Sequence, residues 1–120
     1  QERGWGRVVA ITSSTVREPS PVLIPSTTAR AGLTGFLKTM ATEVAPDGVT
    51  VNSVQPGPHA TDRLAEIYDD LDAVAAGLPV RHLGDPDDFG RVVAFLCSES
   101  ARSITGAALP VEGGSLRAIQ

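Results

Sequence analysis

Two serines and an arginine have types and spacing that suit hydrogen-bond and anion chemistry. Ser13 follows an apolar run, and Ser26 and Arg30 lie four residues apart, which is one turn of a helix. A serine hydroxyl at the end of a strand can donate a hydrogen bond to a carbonyl oxygen and so polarise it. A guanidinium can hold a hydroxyl or a phosphate through paired hydrogen bonds. Structural interpretations remain open for all three: a loop serine bonded to nearby backbone, a helix cap and a solvated surface charge.

A second polar group follows the next predicted strand. The turn Pro56-Gly57-Pro58 ends that strand and leads to His59 and Thr61. Because imidazole has an unperturbed pKa of about 6.5, His59 is a candidate proton donor at neutral pH, although a loop histidine can also be a solvent-exposed residue without a role. Thr61 can either cap the following helix or contact a ligand. Tyr68 is a weaker candidate proton donor of the same kind.

The elements that must position these residues follow in the order strand, helix, strand. The β-branched run 7–12 and the run 49–54 predict buried strands. Between them, apolar residues recur at helical spacing, and Ser26, Thr27 or Thr28 can cap that helix. Its apolar stripe consists of Leu33, Phe36, Leu37, Met40, Ala41 and Val44. In such a unit the strands are parallel, so the loops after both strands emerge at one edge of the sheet, where ligands of open α/β sheets bind.

The last third of the chain adds two helices and a strand. An acidic, alanine-rich segment from Thr61 to about Ala76 predicts one helix, which can act as a mobile flap. Asp85 followed by Pro86 and two more aspartates predicts the start of a second helix. The run 106–111 predicts a final strand, and Pro110 indicates a sheet edge because proline cannot donate a ladder hydrogen bond.

Composition excludes several classes of protein. A formal net charge of −4 over 120 residues does not favour nucleic-acid binding, and 42% hydrophobic residues indicate one globular domain. The single Cys97 cannot form an intrachain disulfide and fits a cytoplasmic protein. His59 and His82 lack carboxylates at ligand spacing, so we expect no metal site. No serine lies in a Gly-x-Ser-x-Gly motif, and no apolar run approaches the roughly 20 residues that span a bilayer.

Four segments, taken together and in order, resemble the carboxyl-terminal half of a short-chain dehydrogenase/reductase. These segments are GRVVAITSS at 6–14, RAGL at 30–33, DGVTVNSVQPG at 47–57, and 104–114, which begins with ITG. The resemblance implies an α/β fold with the last three parallel strands of a partial Rossmann-like, doubly wound sheet and flanking helices. It also implies that the family's glycine-rich fingerprint precedes Gln1. We therefore expect residues 1–120 to form the carboxyl-terminal half of one domain, with the dinucleotide-binding half absent. The first residues, Gln1-Glu2-Arg3-Gly4, contain no initiator methionine or signal peptide and fit a start within a longer reading frame.

The same resemblance assigns roles to the candidate residues. Ser13 matches the catalytic serine, while Ser26 and Arg30 stand where the family has the tyrosine and lysine of Tyr-x-x-x-Lys. Because an aliphatic alcohol does not titrate in the accessible range, Ser26 could only donate a hydrogen bond or relay a proton, and His59 could replace the phenol. Arg30 would bind the cofactor, as would Pro56, Gly57 and Thr61.

Two functions follow from the resemblance. The first is an NAD- or NADP-dependent oxidoreductase that transfers hydride to or from a small carbonyl or alcohol, of the 3-oxoacyl reductase kind, with this chain inactive alone. The second is a catalytically silent relative that serves as an oligomerisation or ligand-binding subunit. Family members form dimers and tetramers, so we expect a homo-oligomer, with no nucleic-acid or membrane partner.

Overall fold

The computed structural model describes residues 3–120. Gln1 and Glu2, which were part of the reason to expect a longer reading frame, lie outside the described residues. Strands and helices follow one another along the chain, joined by short turns. The elements are β1 (Gly6–Ile11), α1 (Ile24–Val44), β2 (Val49–Pro56), α2 (Asp62–Ile67), α3 (Leu71–Gly77), α4 (Pro86–Leu96) and β3 (Ala108–Val111). Across residues 3–120, no helix is long and apolar enough to cross a membrane.

The three strands form one parallel sheet in the order β1-β2-β3. Gly6 pairs with Val49 and Ile11 pairs with Val54, so β1 and β2 run side by side and end at the same edge. The predicted α/β architecture is therefore confirmed. β3 lies at the side of the sheet, as Pro110 predicted, because a residue without an N–H is tolerated where no further strand pairs.

The core lies between α1 and the sheet. Leu37 and Ala41 of α1 are buried together with Val51 of β2, and Val8 and Met40 pack against them. The predicted apolar stripe is only partly buried, because Leu33 is 39% exposed and Phe36 is 62% exposed. Part of the apolar stripe of α1 is therefore left uncovered within the described chain.

The long helix begins earlier than the sequence predicted. Its N-cap is Leu23, which makes no side-chain cap hydrogen bond, and Pro25 occupies the first turn. Proline is favoured there because the backbone N–H groups of the first turn have no partner inside the helix. The prediction that Ser26, Thr27 or Thr28 caps this helix is therefore wrong.

The acidic segment after β2 forms two short helices rather than the single predicted helix. Tyr68, which ends α2, has extended backbone angles of φ −124° and ψ 130°. Asp70 then caps α3 by accepting a hydrogen bond from the backbone N–H of Ala73 at 2.9 Å. An aspartate that can cap a new helix competes with continuation of the old one, which explains the break.

Candidate functional site

Arg30 reaches from α1 to the carboxyl end of β1. Its Nη1 donates hydrogen bonds to the backbone oxygens of Ile11 at 3.0 Å and Thr12 at 2.7 Å. Its Nε donates to the hydroxyl of Ser26 at 3.0 Å, as the spacing of four residues predicts. Among residues 3–120, no partner is found for Nη2 of Arg30. The guanidinium is therefore held in place by three hydrogen bonds while one of its nitrogens remains free to donate.

Ser13 lies next to this cluster, because the Thr12 oxygen that Arg30 binds belongs to the peptide group joined to Ser13. The Ser13 oxygen caps a single 3-10 turn by accepting from the backbone N–H of Thr15 at 3.2 Å. It also accepts from the Thr15 hydroxyl at 2.9 Å. A serine oxygen that accepts two hydrogen bonds still has its own O–H to donate. The structural interpretation of Ser13 as a loop serine and its proposed chemistry are thus compatible.

The end of β2 lies beside the end of β1. β2 includes Pro56, and the N–H of Gly57 continues the ladder by donating to the oxygen of Val111 at 3.0 Å. A β-carbon at Gly57 would lie 2.6 Å from the β-carbon of Glu112, so the close approach of β3 requires glycine here. Thr61 caps α2 by accepting from the backbone N–H of Leu64 at 3.3 Å. The structural interpretation of Thr61 as a cap is therefore observed.

His59 contacts the turn after β2 and helix α4. Its Nδ1 lies 2.9 Å from the oxygen of Gly57, and its ring meets Phe89 edge-on at 5.1 Å between centroids. A β-carbon on Gly84 would lie 2.5 Å from this ring, so Gly84 covers it closely. Within the described part of the chain, His59 makes no hydrogen bond with Ser13, Ser26 or Arg30. Tyr68 is 44% exposed at the end of α2.

Two side chains that were not predicted from the sequence support this region. Thr15 hydrogen-bonds Ser13, and a hydroxyl residue two positions after a serine is a common local turn pattern that could have indicated it. Arg17 donates to the side-chain oxygen of Gln55 and to the backbone oxygen of Ala108 at 2.6 Å. No local pattern indicates Arg17, because both of its partners are distant in sequence.

Glu112 organises the turn after β3, beside Gly57. One carboxylate oxygen accepts from the Leu116 N–H and from the Ser115 hydroxyl, each at 2.8 Å. Burial by itself raises the pKa of Glu112, but hydrogen bonds from Leu116, the Ser115 side chain and two further backbone amides outweigh it. The pKa of Glu112 therefore lies below its ordinary value of 4.5.

This shift predicts a pH-dependent contribution to stability. Because the folded-state pKa of Glu112 is lowered, its carboxylate contributes stability at pH values above the unfolded-state pKa. This contribution to stability is lost as the pH falls through the folded-state pKa. We expect Glu112→Gln to lower the free energy of unfolding by about 1 kcal/mol near neutral pH and by less in acid. Urea denaturation of both proteins from about pH 7 to about pH 3 measures the difference. A difference that does not change with pH would contradict this role.

The residues described by the structure, 3–120, contain no group of three or more histidine, cysteine, aspartate or glutamate side chains that could hold a metal ion. The arrangement at the strand ends instead offers hydroxyl and guanidinium donors. Donors of this kind bind neutral or anionic oxygens rather than cations.

Parallel strands that end at one edge with polar donors beside them define the open α/β class of ligand-binding folds. The family comparison is more specific, because a family model described as enoyl-(acyl carrier protein) reductase matches residues 1–115. The chain belongs to the short-chain dehydrogenase/reductase family.

Individual relatives agree with this assignment. The chain is 43% identical over 114 residues to an acetoacetyl-CoA reductase of Cupriavidus necator, covering 94% of this chain and 46% of the relative. A solved structure titled as YwfH, an NADPH-dependent reductase involved in bacilysin biosynthesis, superposes with a TM-score of 0.93 at 28% identity, covering 98% of this chain and 50% of that one. A putative β-ketoacyl-ACP reductase superposes with a TM-score of 0.81 at 38% identity, covering 94% and 48%. These neighbours identify the sheet as part of a Rossmann-like fold. The chain spans about half the length of the curated relatives it matches.

Proposed function

We propose that this chain is the carboxyl-terminal half of a Rossmann-type domain in an NAD(P)-dependent oxidoreductase, and that it supplies the substrate side of the site. The reaction is hydride transfer between the cofactor and a small carbonyl compound or secondary alcohol. The observation that carries the proposal is the guanidinium of Arg30, fixed between Ser26 and the carboxyl end of β1 with one nitrogen free. This edge is where ligands of open α/β sheets bind.

The donor set fits the nicotinamide and ribose portion of a dinucleotide. Arg30 has a free charged donor suited to a ribose hydroxyl, and Thr61 keeps a hydroxyl hydrogen after accepting its capping bond. Pro56 ends β2 and Gly57 follows it, at the same edge of the sheet as the end of β1. The bound cofactor supplies the hydride, and it does so as NADH or NADPH. No residue of this chain distinguishes the two.

The chain's own residues act on the substrate oxygen and on the geometry around it. Ser13 donates its O–H to the substrate carbonyl oxygen, because its two acceptor positions are already occupied by Thr15. In this proposal Ser26 and Arg30 replace the family's tyrosine and lysine. Arg30 orients the reacting groups through its guanidinium donors, while Ser26 relays a proton through water, because an aliphatic hydroxyl does not itself act as an acid.

His59 is the less well supported proton donor. Its Nδ1 bonds the oxygen of Gly57 and its ring is packed between Gly84 and Phe89. If it nevertheless donates the proton, His59→Gln must change the pH–rate profile of carbonyl reduction. An unchanged profile removes it from the mechanism and leaves Ser26 and water.

The names of the relatives suggest a 3-oxoacyl substrate. One relative is an acetoacetyl-CoA reductase and one structural neighbour is a putative β-ketoacyl-ACP reductase. Both substrates carry a ketone two carbons from a thioester, so a 3-oxoacyl thioester is the first substrate to test. The single cysteine is consistent with a cytoplasmic protein.

The test compares this chain with the longer polypeptide that includes the sequence upstream of Gln1. We expect the longer polypeptide to oxidise NADPH or NADH in the presence of a 3-oxoacyl thioester. We expect residues 1–120 alone to bind either dinucleotide weakly or not at all in titration calorimetry, because they contain no glycine-rich turn between a strand and a helix. Tight binding by the 120-residue chain would contradict the division of the domain proposed here.

A second candidate function is a catalytically silent relative that acts in assembly or ligand binding. The hydrogen bonds of Ser13 and Arg30 to nearby backbone groups favour this function, because they give both side chains a structural role that needs no ligand. The exposed side chains of Leu33 and Phe36 on α1 also offer an apolar face for a homo-oligomer. No NAD(P)H turnover with any member of a carbonyl panel, together with a stable oligomer in sedimentation, would favour this function over the first.

A further inference from the structure

A cavity of about 250 Å³ lies between α1 and the sheet, away from the residues of the proposed hydride-transfer site. Thr34 and Lys38 line it from α1, Ser53 lines it from β2, and the segment 106–108 closes its far side. Arg17, from the loop after β1, completes the wall. None of Ser13, Ser26, Arg30, Pro56, Gly57 or Thr61 borders this cavity.

Two cations in the cavity wall are anchored to backbone oxygens rather than to carboxylates. Nζ of Lys38 donates to the oxygen of Gly106 at 3.1 Å, and Nη2 of Arg17 donates to the oxygen of Ala108. The ion pairs found within residues 3–120 involve neither of these side chains. An ammonium has three N–H donors and a guanidinium has five, so both cations keep donors after these contacts.

Ser53 adds a hydroxyl to the same wall. The residue is only 2% exposed, and within residues 3–120 its side chain makes no hydrogen bond. In the described part of the chain, the fully buried hydroxyls without a partner belong to Thr27 and Thr50, so the Ser53 hydroxyl remains accessible from the cavity that the residue lines. This hydroxyl can therefore donate to a ligand with oxygen acceptors, independently of the two charges.

We propose that this cavity binds a phosphate-sized oxyanion, as inorganic phosphate or as the phosphate group of a small monoester. Uncompensated positive charge on Arg17 and Lys38 attracts the anion, and donors from Arg17, Lys38 and Ser53 approach it from three separate elements. An oxyanion such as phosphate presents several acceptor oxygens at once, which suits donors that converge from different directions. The volume exceeds that of a few water molecules, so a small organic group attached to the phosphate also fits.

The site acts independently of hydride transfer, because the two sets of residues do not overlap. Loss of NAD(P)H turnover would leave this proposal untouched, and absence of phosphate binding would leave the proposed oxidoreductase activity untouched. The closest link is Arg17, whose other contact is the side chain of Gln55 near the end of β2.

The experiment titrates inorganic phosphate, and separately methyl phosphate, into the longer polypeptide that includes the sequence upstream of Gln1, by calorimetry at constant ionic strength. We expect saturable binding, and we expect Lys38→Gln and Ser53→Ala each to raise the Kd by about tenfold, since each removes one donor to a charged ligand. The matched control is Arg102→Gln, which removes an exposed arginine outside this cavity and should change the Kd by less than about twofold. Tighter binding of methyl phosphate would identify a monoester as the ligand, and equal binding would identify the free ion.

Ser53→Ala allows the proposal to be tested even if another variant fails to fold. This substitution removes a hydroxyl that has no hydrogen-bond partner within residues 3–120, so we expect the melting temperature without phosphate to be little changed. Phosphate should raise the melting temperature of the natural sequence more than that of Ser53→Ala. Absence of saturable binding of either probe would overturn the proposal. An equal loss of affinity in Arg102→Gln would do the same, because it would indicate non-specific attraction.

Discussion

Arg30→Met is expected to lower kcat/KM for NAD(P)H-dependent carbonyl reduction by about a hundredfold in the complete polypeptide. Arg30 holds Ser26 and the backbone oxygens of Ile11 and Thr12, so its loss frees the end of β1 from which Ser13 projects. It also removes the free charged donor proposed to bind the cofactor. A displacement of the reacting groups by about 1 Å is enough to account for an effect of that size. Steady-state kinetics with NADPH and a 3-oxoacyl thioester measure the change.

The control for this prediction is Arg63→Met, which removes an exposed arginine on α2 whose one ion pair among residues 3–120 is with Glu66. We expect it to leave kcat/KM within about twofold, because surface ion pairs contribute little. Arg30→Lys should recover part of the activity, since an ammonium keeps the charge and can reach one of the oxygens. A positioning role would appear mainly in kcat, and cofactor binding mainly in the KM for NADPH. Full activity of Arg30→Met, with only a lower melting temperature, would assign Arg30 to the fold alone.

Gly57→Ala is expected to lower the free energy of unfolding by about 2–3 kcal/mol. The added β-carbon would lie 2.6 Å from the β-carbon and 2.7 Å from the α-carbon of Glu112, and 3.1 Å from its backbone oxygen. The obstruction is largely backbone, so it cannot be relieved by rotating a flexible side chain. The strands must separate at the point where Gly57 donates to Val111. Urea denaturation, with the midpoint and slope compared between variants, measures the loss.

Gly35→Ala on α1 is the matched control, because a β-carbon there meets no atom within 4 Å. In a helix interior, alanine is favoured over glycine, so we expect Gly35→Ala to stabilise the chain by about 0.5–1 kcal/mol. The same chemical change is thus expected to act in opposite directions at two positions. If Gly57→Ala unfolds at the same urea concentration as the natural sequence, the ends of β2 and β3 are not packed as described.

Periodicity and breaker residues allowed most of the fold to be predicted. The β-branched runs became β1 and β2, although β1 is only half-buried whereas β2 is buried as predicted. Asp85 with Pro86 became the start of α4, where Asp85 accepts from the N–H of Asp87 at 2.7 Å. These predictions succeeded because local chemistry decided them. The start of α1 and the break at Tyr68 were mispredicted because several residues in each segment were able to cap a helix. Which of them does so depends on contacts outside the segment.

Only those features of the candidate site that follow from residue spacing and from the order of the elements could be predicted. The spacing of four positions from Ser26 to Arg30 predicted their contact, and the order of strand, helix and strand predicted a shared edge for Ser13 and Gly57. Two features depend on tertiary contacts that leave no local pattern. The packing of Gly57 against Glu112 explains that glycine without any ligand, and Arg17 meets partners distant in sequence. The orientation of His59 toward Phe89 is of the same kind.

Deuterium transfer tests the central claim most directly. The complete polypeptide is incubated with a 3-oxoacyl thioester and NADPH or NADH deuterated at C4 of the nicotinamide, and the hydroxyl product is analysed by mass spectrometry. If the proposed function is correct, we expect one deuterium on the former carbonyl carbon, and strongly reduced incorporation with Arg30→Met. A folded polypeptide that transfers no deuterium from either cofactor to any member of a panel of ketones and 3-oxoacyl thioesters would contradict it.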